Sequence, residues 1–488
     1  MKKFLLFTLL AVMSLALFGC GAKDDGTTKK GSDPKKSNAT TITYCSWNLG
    51  TEEDNNLYRR LVNKFNNDND DIQIKLVEPE GDYNTFLTTM ASGRQLPDVF
   101  MVNSVPTAVI NYLAGDITSV VSEDPEWATI NEALRDSITY DGHVFGIPCG
   151  QYYMGFFANY QLIDNYLTGG KDAMEVFEPG VFTTQTFIDT VKQMRNFVTN
   201  GASTIGVNAV GDMINWLPST LDTTGKISHF VWNGAEKKFE YRSEEMINAL
   251  TTINDLSDYC FDNTPVTEEN TIETFFSTGS SSDAFKNGQI GFYQSGTWDT
   301  FEDSDTLNYM FVGYPGGKIV SASDYMCISR STKDLNAAYK VAKYLSFGYD
   351  GTMAKFDIID ANPDAKLTVS GLPIVNNTEI ANKWFDYVTL KGAKQCYLKV
   401  VSGEMDLLVE GNKSIPGFQD ARFLGSTGLS YEDVRGGSVL NMSDFIWDVC
   451  SGKISVNTYI SDMSPELEAL FNKYVSDAYE KIQKVLSK

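Results

Sequence analysis

Cys20 is the side chain whose setting most narrowly defines its chemistry. Met1-Lys2-Lys3 give a positive start, Phe4 to Phe18 form an uncharged and mostly apolar run, and small Gly19 stands directly before the thiol. Crossing the hydrocarbon of a bilayer takes about 20 apolar residues, whereas a removable secretory leader needs an apolar region of about 7–15. Residues 1–19 therefore read as a signal peptide, with Cys20 as the first mature residue and its sulfur as a site of lipid attachment. The charged run Lys23-Asp24-Asp25 follows too early for a full-length span. Elsewhere, residues that do covalent or metal chemistry are sparse. The two histidines, His143 and His229, stand in no metal-ligand spacing such as H-E-x-x-H. The chain has no G-x-x-x-x-G-K-[ST] phosphate loop and no G-x-S-x-G nucleophile elbow. Asp68-Asn69-Asp70-Asp71 begins like a calcium loop, but Ile72 stands where an oxygen ligand belongs and no glycine follows, so it reads as a polar turn. No catalytic residue, metal or cofactor is expected. Glycoside hydrolysis by paired carboxylates depends on a spatial separation, and among 63 Asp and Glu no single pair stands out.

The elements around these residues describe a large body on a lead. Residues 20–41 are rich in Gly, Ser, Thr, Lys and Asp and nearly free of large apolar side chains, as a flexible tether is. Such a coil reaches on the order of 25 Å, enough to hold a folded body clear of lipid headgroups. From Ile42 onward the length suits two lobes, because single cores stop growing near roughly 250–300 residues. The net charge is −23, and loss of Lys2 and Lys3 with the leader makes it more negative still. That balance argues against nucleic acid and anionic lipid as partners. Six further cysteines are widely spaced with no C-x-x-C pair, and they read as buried free thiols.

Hydrophobic periodicity gives the architecture. Ile42 to Trp47 reads as a strand, and Glu52 to Asn66 as a helix through Leu57, Leu61, Val62 and Phe65. Ile72, Ile74 and Leu76 alternate, Tyr83 to Ala91 return to the helical period, and Val99-Phe100-Met101-Val102 is apolar throughout, as a strand covered on both faces would be. The amino-terminal part is thus βαβαβ. Helices are also expected over Gln185–Val198, Asn336–Leu345 and Pro465–Leu486. Alternation of this kind means α/β.

Several segments, in this order, carry a family resemblance: Met90 to Val99 (MASGRQLPDV), Asp141 to Pro148 (DGHVFGIP), Gln151-Tyr152-Tyr153, Ala284 to Phe292 (AFKNGQIGF), Gly296-Thr297-Trp298, Phe311 to Gly317 (FVGYPGG) and Ser370-Gly371-Leu372-Pro373. Behind a leader whose Leu17-Phe18-Gly19-Cys20 resembles the bacterial lipobox, they resemble the family 1 extracellular solute-binding proteins, the capture subunits of sugar-importing ABC transporters. Family Tyr-Asn-Lys is here Ala158-Asn159-Tyr160, and family Gly-Ser-Trp is Gly296-Thr297-Trp298. The lipobox resemblance implies a diacylglycerol on the Cys20 sulfur and a further acyl chain on its amine. At ~0.8 kcal/mol per buried CH₂, such chains make the anchor effectively permanent.

The resemblance implies a two-lobe, type II periplasmic-binding-protein-like α/β fold, each lobe a mixed sheet flanked by helices, closing on ligand in the cleft. It places lobe 1 at 42–155 plus 317–347 and lobe 2 at 156–316 plus 348–488, with crossovers near 149–156, 314–318 and 347–351. A pyranose shows hydroxyls at its rim and C–H groups on its faces, so its site needs aromatic rings and polar side chains such as Asp, Asn, Gln or Arg. Trp298 matches a family position where a ring commonly meets ligand. Trp47 and Asn48 end the first strand and Asn103 follows the third, the side of an α/β sheet that faces a cleft. Gln151 and Tyr152 follow the crossover proline, Trp216 lies in the segment that resembles the second-lobe aromatic stretch, and Asp324 with Tyr325 follows the re-entry into lobe 1. These nine are the expected ligand contacts. Asp98 reads as a structural carboxylate and Arg422 as a surface arginine.

The function expected is a non-enzymatic, lipid-anchored receptor on the extracytoplasmic face of the cell membrane. It would be monomeric, capture a carbohydrate, most simply an oligosaccharide, and pass it to ABC transporter permease subunits. The rival readings are a same-fold receptor for another polar solute and an anchored carbohydrate-active enzyme. Aromatic residues at the cleft favour sugar, whereas clustered Asp and Glu there favour an amine.

Overall fold

The computed structural model describes residues 39–487. The leader, the lipidation site Cys20 and nearly all of the tether lie outside the described residues. Strand β1 (Thr40–Cys45) begins two residues before Ile42, its expected start, and pairs in parallel with β2 (Ile72–Leu76), Thr40 opposite Ile72. On its other side β1 pairs in parallel with β3 (Val99–Val102), which is buried along its whole length. The expected βαβαβ start is therefore present, with helices Leu57–Asp68 and Tyr83–Ser92 as crossovers. Two boundaries differ, and local hydrogen bonding explains both. The Ser46 side chain accepts from the Asn48 N–H and starts a short 3-10 turn, so Trp47 and Asn48 sit just past the strand rather than on it. Asn55 adopts a left-handed conformation and Asn56 caps the next helix, which starts at Leu57 instead of Glu52.

A hairpin of β4 (Thr139–Tyr140) and β5 (His143–Val144) leads into the long strand β6 (Ile147–Asn159). Then come β7 (Ile205–Val207), a small hairpin of β8 (Trp232–Asn233) and β9 (Lys238–Phe239), β10 (Ile290–Gly296), β11 (Tyr309–Gly313), β12 (Lys318–Ile328) and β13 (Asp406–Val409). Among the described residues nine strands share one mixed sheet in the order β2-β1-β3-β12-β6-β10-β7, with β11 also on β6 and β13 on β12. The two long strands are what join the halves. Ile147 of β6 lies in one apolar core, while Phe156 and Ala158 lie in a second and Phe157, on the opposite face, in a third. Likewise Val320 of β12 belongs to the second core and Tyr325 to Ile328 to the first.

The cores follow the chain differently from the expected lobe limits. Helix Tyr349–Asp360 packs against helix Leu57–Asp68, and Ala354, Phe356, Ile359, Ile374 and Trp384 all enter the first core. The chain thus stays with the first half well past residue 347, because that helix has its apolar partners there. Leu372 and Ala381 touch the third core, the run Ala393 to Val400 lies in it, and Leu408 lies in the second. The middle crossover lies inside β12, not at 314–318. Finally, helix Pro465–Leu486 lays Leu467, Phe471 and Val475 in the second core but Ile482 and Val485 in the first.

The six cysteines of the described residues are free thiols, five of them buried. Asp98 is structural, as expected: its carboxylate accepts from the Thr43 N–H (2.9 Å), the Thr43 hydroxyl (2.6 Å) and the Thr332 hydroxyl (2.9 Å).

Candidate binding site

Successive side chains of a strand point to opposite faces, and β6 and β12 use this to build a floor. Pairing of Ala322 with Tyr152 and of Asp324 with Gly150 sets these four residues together. With Met154 they are half-buried, whereas the alternating Gln151, Tyr153, Ser321 and Ser323 are buried. On the far side Gly296 of β10 pairs with Met154. The chain then turns, and Trp298 folds back over Gly296. A Cβ at Gly296 would stand 2.3 Å from the indole, so this position tolerates only glycine while the ring lies there. Trp298 meets Tyr152 edge to face, ring centroids 6.0 Å apart, and the Tyr152 hydroxyl is bonded to Ser370. The indole remains 48% exposed, an open aromatic face on a fixed mount.

One wall of the floor belongs to the second half. There a cavity of about 280 Å³ is lined by Met154, Asp212, Glu410, Arg422 and Trp447, among others. Trp447, on helix Met442–Cys450, lies over Gly211 and is 45% exposed. Burial raises the carboxyls of Asp212 and Glu410, opposed at Asp212 by Arg422 and at Glu410 by Lys413 and Arg422. Asp324 is also raised by burial and is opposed by Lys413, whose Nζ lies 3.7 Å away. Arg422 is 9% exposed, not the surface arginine expected. Burial brings its guanidinium down to about 10. The guanidinium lies 3.9 Å over the Phe230 ring and donates from Nη1 to Asn215 Oδ1 at 2.7 Å. Burial drives His229 to about 3, so the imidazole is neutral, and its Nδ1 accepts the Gly411 N–H at 3.2 Å.

The expected residues divide by strand face. Tyr152, Trp298 and Asp324 come together on the floor. Trp47, Asn48 and Asn103 lie beyond the carboxyl ends of β1 and β3, on the first half. Trp47 is half-buried edge-on to Tyr83 (5.1 Å), Asn48 donates to Met101 Sδ (3.6 Å), and exposed Asn103 donates to Asn84 (3.2 Å). Gln151 and Tyr325 point the other way from their neighbours Tyr152 and Asp324, as strand alternation requires. Gln151 is buried, donating to Pro373 O at 3.0 Å, and the Tyr325 hydroxyl bonds Ser137 at 2.9 Å. Trp216 is 0% exposed, stacked on Tyr314 at 4.6 Å, so it packs the second core and offers no face to a solute. Its neighbours Asp212 and Asn215 face the cavity instead. Sequence reasoning missed Met154, Asp212, Glu410, Arg422 and Trp447. Met154 alone had a local signal, two residues beyond Tyr152 on a strand.

A crevice floored by the strands that join two α/β halves, with an open indole and interleaved charges, defines a two-lobe solute-binding fold. The model of the bacterial extracellular solute-binding proteins matches residues 60–360, and the chain belongs to that family. The family binds solutes, in line with the expectation of a receptor rather than an enzyme. Over 179 residues the chain is 26% identical to the melibiose/raffinose/stachyose-binding protein MelE of Bacillus subtilis, a match that spans 36% of this chain and 38% of that relative's length. Among solved structures, an ABC substrate-binding protein from Listeria monocytogenes in complex with cycloalternan superposes with a TM-score of 0.57 at 18% identity, covering 90% of this chain and 99% of that one. The sugar-binding protein MalE from Xanthomonas citri gives 0.60 at 14% identity, covering 90% and 98%. At these identities the likeness is one of fold.

Proposed function

We propose that this protein captures a carbohydrate, an oligosaccharide, between its two halves and delivers it to the permease subunits of an ABC importer. The observation that carries the reading is the Tyr152–Trp298 pair, an open indole on the β6–β12 floor, while Met154 of the same floor lines the cavity that holds Asp212, Asn215, Glu410 and Arg422. An apolar ring face backed by hydrogen-bonding groups matches the two surfaces of a pyranose. Family membership and the sugar ligands named for MelE and the Listeria protein support the same reading. The carboxylates Asp212, Asp324 and Glu410 are the one feature that favours an amine, and Lys413 and Arg422 among them oppose it. The nine expected contacts reduce in this reading to Tyr152, Trp298 and Asp324 on the floor, with Trp47, Asn48 and Asn103 as the contribution of the first half. Cys20 anchors the protein by its lipid to the extracytoplasmic face, where it acts as a monomer. Acyl chains in the intact mass of membrane-extracted protein test the anchor; an unmodified thiol there contradicts it. A thermal-shift screen of residues 39–488 against mono- and oligosaccharides tests the ligand class, since a solute that binds only the native state raises the melting temperature. Stabilisation by an oligosaccharide is expected; stabilisation only by polyamines or phosphate esters would refute the reading.

A further inference from the structure

Arg422 is more than nine-tenths buried, yet among the described residues no carboxylate lies within ion-pair distance of it, and its Nε has no hydrogen-bond partner. Asn215 and the Phe230 face hold the guanidinium in place without neutralising it. A buried charge so placed is costly unless something else satisfies it. The cavity it lines also holds Asp212 and Glu410, while neutral His229 adds no charge. A solute entering there meets a guanidinium whose side-chain hydrogen bond uses only Nη1, leaving donors over, and two carboxyl groups at once. A hydroxyl both donates and accepts, so a polyol satisfies all three. A carboxylate or phosphate serves Arg422 but is repelled by Asp212 and Glu410. An ammonium serves the carboxylates but is repelled by Arg422. Charges of both signs around one cavity therefore exclude charged solutes of either sign.

We propose that this second-half cavity selects an uncharged, hydroxyl-bearing ring over its acidic and amino counterparts, and that Arg422 is the specificity-determining residue, donating to a solute oxygen while Trp447 covers a ring face. The proposal rests on the carbohydrate reading above. It is tested by calorimetric titration of the intact protein with melibiose and maltose, each beside its uronic-acid and amino-sugar counterparts. The neutral sugar should bind at least tenfold more tightly than either counterpart. In Arg422→Met its affinity should fall at least tenfold, with discrimination against the amino sugar narrowed, and Arg422→Lys should retain part of both. Thermal melting establishes that each variant is folded; should Arg422→Met not fold, the parent's charge series and Arg422→Lys carry the test. A charged counterpart bound as tightly as the neutral sugar, or unchanged affinity in folded Arg422→Met, overturns the charge selection and leaves the carbohydrate reading standing. Binding of charged non-sugar solutes with no sugar bound in any form overturns both.

Discussion

Trp298 and Trp216 have the same side chain and opposite settings, and the contrast separates binding from stability. Trp298 lies over Gly296, meets Tyr152 edge to face and stays 48% exposed. Trp298→Ala should therefore leave the melting temperature nearly unchanged while weakening the solute about tenfold, or about 1.4 kcal/mol. Trp216 lies enclosed between Tyr314, Phe156 and Phe187. Trp216→Ala should cost about 3–5 kcal/mol of stability, as large-to-small core changes do. Denaturant unfolding beside calorimetric titration checks both; a stable Trp216→Ala with lost affinity would reverse the assignment. At this scale the sequence is legible where a motif gives the turn, as Gly296-Thr297-Trp298 does. It misleads where two neighbours on one strand are both chosen, because Gln151 and Tyr325 must then face away from the floor. Asp212 lies about 200 residues before Glu410 and Arg422 and shares a cavity with them only after folding, so no local pattern could join the three.

Among the elements, two carboxylates tie residues 118–127 to helix Leu335–Leu345: Glu126 pairs with Lys343 Nζ at 2.8 Å, and Asp124 is the more deeply buried partner. Asp124 accepts from Lys343 Nζ (2.9 Å), the Tyr339 hydroxyl (2.8 Å) and the Glu126 N–H (2.9 Å). Burial opposes its ionisation, but the bonds from Lys343, Tyr339 and Glu126 outweigh it and hold the carboxyl below its usual value. A carboxyl depressed in the folded state adds stability above its unfolded pKa of about 4, and that stability is lost as pH falls through the folded value. Asp124→Asn should thus lower stability at neutral pH, and its deficit against the parent should shrink on acidification below pH about 4. A deficit independent of pH would contradict this. Helices were legible wherever the apolar stripe was long: the last one spans Pro465–Leu486 as periodicity predicts. The starts and ends of others were not, since Asn55 and Asn56 set the start of the first helix through backbone conformation and capping rather than hydrophobic pattern.

On the scale of the molecule, the α/β class and its parallel beginning were readable from alternation, whereas the partition into halves was not. Periodicity shows that a helix has an apolar face but not which core receives it. Helix Tyr349–Asp360 joined the first core against expectation, and the final helix, at 1.5 Å per residue roughly 33 Å long, enters both. Strands β6 and β12 likewise pass from one core to the other, and the floor of the crevice is made where they pass. A captured solute should therefore touch both halves at that floor and leave unaltered. A crystal structure grown with an oligosaccharide selected by thermal shift is the most direct measurement. It should show an intact sugar with one ring against Trp298 and polar contacts from both the Asp324 and Arg422 sides. A sugar seated on one half alone, away from Trp298, or found cleaved, would contradict it.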